Sequence, residues 1–87
     1  MTYVGAKRVI TWHLPGAEPG IREREERAID GSYAVWLERT DTLEEGDHAV
    51  WGAEHRRGGQ ATILTLTSPS KLDAKLACEE HAQKMPT

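Results

Sequence analysis

Thr62-Ile63-Leu64-Thr65-Leu66-Thr67, followed at once by Ser68-Pro69-Ser70-Lys71-Leu72-Asp73-Ala74, is the stretch that decides the fold of this chain. Its first six residues form an alternating run with the period of a half-buried strand. The next residues carry two overlapping helix-start signals: Pro69 at a first-turn position behind a Ser cap, and Ser70 with Asp73 three residues on as a capping box. The helix then runs through Ala74, Ala77, Cys78, His81 and Ala82, and Pro86 stops it. At about 100° per residue Ala74, Ala77, Cys78, His81 and Met85 line one stripe, and Leu72 and Leu76 lie nearly opposite with Glu79 and Gln83. A stripe of small residues lets a helix sit close to a sheet, which leaves two leucines facing outward.

Working back from this strand, His48 to Arg56 reads as its hairpin partner across a turn at Arg57-Gly58-Gly59. Either two-residue turn places Ala49, Trp51 and Ala53 on the face of Thr62, Leu64 and Leu66, the floor of the core, with Val50, Glu54, Ile63 and Thr65 pointing the other way. Only a three-residue loop or a bulge would change that pairing. Asp30-Gly31 is a second hairpin signal. It pairs Ala28 with Tyr33 and Glu26 with Val35, so Tyr33, Val35 and Leu37 share a face with Ala28, and Trp36 falls on the opposite face beside Arg27 and Glu25.

Tyr3 to Leu14 alternates and reads as a strand ending at Pro15-Gly16. Ile21 to Ile29 is ambiguous between helix and strand, and its second half is read as strand. Thr40 to Asp47 reads as an acidic loop too long for a tight turn. The architecture expected is α+β: an antiparallel meander of four or five strands with one C-terminal helix packed on one face, in a single domain spanning 1–87.

Eighty-seven residues bury a thin core, so oligomerisation is a natural support and a homodimer would account for the outward leucines. A single cysteine excludes an intrachain disulfide framework, and the N-terminal apolar run is too short for a secretory signal; together they point to the cytoplasm. No stretch resembles a membrane span. The net charge is -3, and the acidity is concentrated between Glu38 and Asp47.

Chemistry-bearing constellations are few. Cys78 and His81 stand one turn apart, but zinc needs three or four ligands, and His48 and His55 have opposite parity on one strand. The expectation is therefore a packed thiol, with no metal and no cofactor. No carboxylate has an apolar setting suited to acid catalysis, and no Gly-rich phosphate loop is present, so the chain reads as a protein that is not an enzyme.

Trp51-Gly52-Ala53-Glu54-His55-Arg56, a short turn, a strand, and the helix from Ser70 to Glu79 resemble the three-strand-plus-helix DNA-binding domains of plant ethylene-response factors and the arm-binding domains of phage integrases. Those families read the major groove with the sheet and pack the helix behind it. The resemblance would place Trp51, Glu54, Arg56 and Arg57 on the reading face and Ala74 and Ala77 behind. In overall character, a compact acidic chain lacking Asn and Phe, as GC-rich coding favours, is similar to small phage accessory and anti-defence proteins.

Two functions of different classes follow. In the first, a non-enzymatic inhibitor of the phage or mobile-element kind binds a host protein or protein complex, or occupies its nucleic-acid-binding groove, in the cytoplasm (the host's, if phage-encoded), using Trp36, Asp41, Glu44, Glu45, Asp47, Leu72 and Leu76. In the second, a small DNA-binding module uses Arg22, Arg24, Arg27, Arg56 and Arg57. The acidic balance makes nucleic acid the less favoured partner.

Overall fold

Helix and sheet start where local chemistry directs. Ser70 Oγ accepts a hydrogen bond from the Asp73 amide at 3.1 Å and donates one to the Asp73 carboxylate at 2.9 Å, and helix α1 runs from Lys71 to Lys84. At the other end of the preceding hairpin, Gly58 and Gly59 have φ of 57° and 81°, the left-handed pair that a two-residue hairpin turn requires. Arg57 pairs with Gln60 across them.

The computed structural model describes residues 10–16, 20–43 and 46–84, with the backbone course alone at 41–43 and 46–48. Among the described residues five strands form one antiparallel meander in sequence order: β1 Trp12–His13, β2 Glu26–Ala28, β3 Tyr33–Leu43, β4 Gly46–Arg57 and β5 Gln60–Ser68. With α1 this is the α+β architecture expected. Of the strand expected from Tyr3 to Leu14, residues 12 and 13 are strand; 1–9 lie outside the described residues, as do Met85 and Pro86.

The β2–β3 hairpin has the expected register, Glu26 opposite Val35 and Arg27 opposite Ala34. Asp30 closes its turn by accepting hydrogen bonds from the Ser32 amide at 2.9 Å and the Ser32 hydroxyl at 2.6 Å. The core lies between the sheet and α1: Ala28, Tyr33, Val35, Trp51 and Ala53 meet Ala74, Cys78 and Ala82, with Trp12, Leu37, Ala49 and Leu64 packed at the margin. Glu26 ties the helix to β2 through Lys71 and Lys75, each at 2.7 Å.

Two expectations are corrected by the ladder. The segment from Thr40 to Asp47 is no open loop. Pairing continues through Thr40↔Ala49, Asp41↔His48 and Thr42↔Asp47 to Leu43↔Gly46, so only residues 44 and 45 remain between the strands. β-branched Thr40 and Thr42 suit a strand, and a bulge at Glu38 keeps the ladder in step. β5 is last met at Trp51 and β2 at Val35, so residues 39–50 form a two-stranded arm. It contributes to an elongated body of 52 × 31 × 20 Å.

The second correction concerns β5. Glu54 pairs with Ile63, but Ala53 pairs with Thr65 and Trp51 with Ser68, so β5 carries two extra residues. Each bulge reverses the alternation. Leu64 still packs at the core margin, but Leu66 turns to the face away from the helix and is 42% exposed. Thr62 keeps its expected face opposite His55, yet on this edge strand it is exposed.

Candidate interaction surface

The face of the sheet away from the helix is where Trp36 was expected to stand exposed as a contact anchor. It is 3% exposed. Trp36 lies opposite Gly52, and a Cβ built on that glycine would come within 2.4 Å of Trp36 Cζ2, so the indole rests directly on bare backbone. From the other side the Arg22 guanidinium stacks over the ring at 3.7 Å from its centroid. The indole N–H donates to Glu38 Oε2 at 2.6 Å.

Arg22 reaches this position from a tight reversal in which Arg24 adopts φ of 53°. The Glu25 amide donates to the Arg22 carbonyl at 3.2 Å, and the Leu37 amide donates to the Glu23 carbonyl at 2.9 Å, which hems the segment to β3. The ambiguous residues before β2 are thus a turn that covers the sheet. Arg22 then forms a two-pronged pair with Glu54, at 2.9 and 3.0 Å, and donates from Nε to Glu25 at 2.7 Å. Arg27 donates to the other oxygen of Glu25 at 2.5 Å, and Arg56 donates to Glu54.

Both acids are nearly sealed, Glu25 at 3% and Glu54 at 4% exposure. Burial alone would push the Glu54 carboxyl up, but the hydrogen bonds from Arg22 and Arg56 outweigh it and hold its pKa below the ordinary carboxylate range. For Glu25 burial is likewise outweighed, by Arg22 and then Arg27. Of the five arginines expected to meet nucleic acid, Arg22, Arg27 and Arg56 therefore serve to neutralise two buried carboxylates. Arg24 and Arg57 are exposed.

On the helix the sequence reading holds. Ala74, Cys78 and Ala82 are buried, Lys71 and Lys75 stand 5.4 Å over the rings of Trp51 and Trp12, and Leu72 and Leu76 point outward at 65% and 44% exposure. One turn apart, they make an apolar ridge on the helix. Of the acidic residues, Asp41 and Asp47 occupy adjacent rungs of the arm, opposite His48 and Thr42; Glu44 and Glu45 lie outside the described residues.

A cluster the sequence reading missed sits at the helix–sheet seam. Tyr33 and His55 pair across β3 and β4 with ring centroids 4.9 Å apart, and His81 from α1 approaches His55 at 4.7 Å. The Tyr33 hydroxyl and His81 Nδ1 share a hydrogen bond of 2.8 Å. Burial, then the neighbouring His81 and Arg57, push the His55 pKa down against an opposing pull from Asp30. Knowing the β3–β4 register would have exposed the pairing, but the loop reading of residues 40–47 hid it.

Cys78, fully buried beneath the helix, has its thiol pushed up to about 12 by burial and by Glu79 and Glu54, so it is not a thiolate nucleophile at neutral pH. Among the described residues no group of three or more His, Cys, Asp and Glu side chains is placed to hold a metal ion, and no helix is long and apolar enough to cross a membrane. A cleft of about 610 Å³ between the two hairpin turns is lined by charges of both signs, Asp30 and Glu54 against Arg56 and Arg57. No family model, curated protein or solved structure matches the chain.

Proposed function

We propose that the protein is a non-enzymatic binding module that docks on another protein through the outer ridge of α1, the kind of task small phage accessory and anti-defence proteins perform on a host protein. The observation that carries this reading is the outward pair Leu72 and Leu76, on a helix whose opposite stripe already fills the core. Large apolar side chains held one turn apart on a rigid helix are the elements that seat in a partner's groove. Charge supplies orientation. The segment from Glu38 to Asp47 contains five acids and one arginine, with Asp41 and Asp47 on the two-stranded arm, and suits a basic partner surface.

The test is retention of a host protein by the tagged chain, followed by mass spectrometry. Leu72→Asp with Leu76→Asp abolishes retention while the melting temperature holds, and Glu44→Lys with Glu45→Lys weakens it. Undiminished capture by both double variants overturns the reading. A gel shift at about 50 mM salt that fades steeply with added salt supports a nucleic-acid partner instead.

A further inference from the structure

β5 ends the sheet, and among the described residues nothing pairs with its outer edge. An open edge presents a row of unpaired N–H and C=O groups, which proteins ordinarily blunt with lysine, an edge proline, a bulge or a covering segment. From Gly58 through Ser70 there is no charged residue, in a chain where 29% of residues are charged, and proline appears only after the strand, at Pro69. Among the described residues the two bulges are the one protective device present. The one between Ile63 and Thr65 also brings Leu66 to the same face as Ile63, so that two large apolar side chains, 42% and 50% exposed, flank the edge on the side away from the helix.

We propose that β5 is a self-pairing edge: two copies of the chain join antiparallel along β5 about a two-fold axis and form one continuous sheet. Two-fold pairing lays this segment against its own copy, a geometry in which every charge would face a like charge near the axis. A strand with none meets itself without that repulsion, although the whole chain carries -3; β2, β3 and β4 all bear charged residues and lack this property. Ile63 and Leu66 of each copy then lie beside those of the other, shielding the new backbone hydrogen bonds from water on the outer face. The helix ridge is not used, and the joined molecule carries two such ridges.

Light scattering and amide hydrogen exchange over a dilution series test this. A mass of twice 9.7 kDa that falls toward 9.7 kDa on dilution is expected, together with β5 amides whose exchange slows as concentration rises. Ile63→Lys with Leu66→Lys sets like charges across the axis on the outer face and yields the monomer at every concentration, whereas Leu72→Lys with Leu76→Lys leaves the dimer intact. A 9.7 kDa species at millimolar concentration overturns the proposal, as does a dimer lost only in the helix variant. So does a dimer whose β5 amides exchange independently of concentration. Should the edge variant unfold, the exchange of the unaltered chain decides by itself.

Discussion

The two faces of this sheet are closed by different physics. On the helix side Val35, Trp51 and Ala53 meet Ala74 and Cys78, a contact between small and apolar groups whose stability comes from area removed from water. On the far side there is no second layer of secondary structure among the described residues. A single turn lays Arg22 across Trp36 and balances two buried carboxylates against three guanidinium groups. The first face tolerates substitutions that keep volume; the second depends on each charge finding its partner, because a carboxylate sealed from water without one is strongly unfavourable.

The largest effect expected is at the two tryptophans. Trp51→Ala on the helix side and Trp36→Ala on the far side each cost about 3–5 kcal/mol, read from urea midpoints. If the far face were mere surface, Trp36→Ala would cost under about 0.5 kcal/mol and the comparison would fail. Glu54→Gln is next, at about 2 kcal/mol. That is below the usual figure for breaking a buried pair, because Arg22 and Arg56, 29% and 37% exposed, can turn partly to water. Gly52→Ala follows at about 1–3 kcal/mol from the collision with the indole. In a Trp36→Ala background the same change becomes nearly neutral, and a full penalty there would show that the crowding lies elsewhere.

The smallest effect separates the faces by pH. His55 belongs to the helix side, and its folded pKa lies below the ordinary value of 6.5. The unfolded chain therefore takes up its proton first, and stability falls as pH drops below about 6.5 toward the depressed value. Glu25 and Glu54 belong to the far side with folded pKa values below 4.5. Their contribution is complete above the unfolded pKa and is lost only in the more acid range. Melting temperatures followed from pH 8 to pH 3 should thus decline in two stages; His55→Gln removes the first and Glu54→Gln diminishes the second. A single decline confined to the acid range would show that folding does not depress the His55 pKa.

How much of this was legible follows the same division. The Ser70–Asp73 box, the Gly58-Gly59 turn and the Asp30-Gly31 turn act over two to four residues, and their residue types identify them. They sufficed for the helix, its alanine stripe, the outward leucines and the β2–β3 register. The far face had one legible sign, a glycine opposite a tryptophan, but it could be read only with the β3–β4 register in hand. Reading Thr40 to Asp47 as a loop withheld that register, and with it the approach of Tyr33 to His55.

By itself, then, the sequence determined the order and kind of elements and one buried face, because periodicity and turn chemistry are local properties of the chain. Tertiary structure alone decided that Trp36 is interior, that Arg22, Arg27 and Arg56 answer buried acids, and that Leu66 points away from the helix. The Arg22–Glu54 pair closes across 32 positions, through a turn with Arg24 in a left-handed conformation that no residue type there announces. A bulge, likewise, is the outcome of two strands competing to satisfy their hydrogen bonds and their packing at once, and neither strand's own residues record the result.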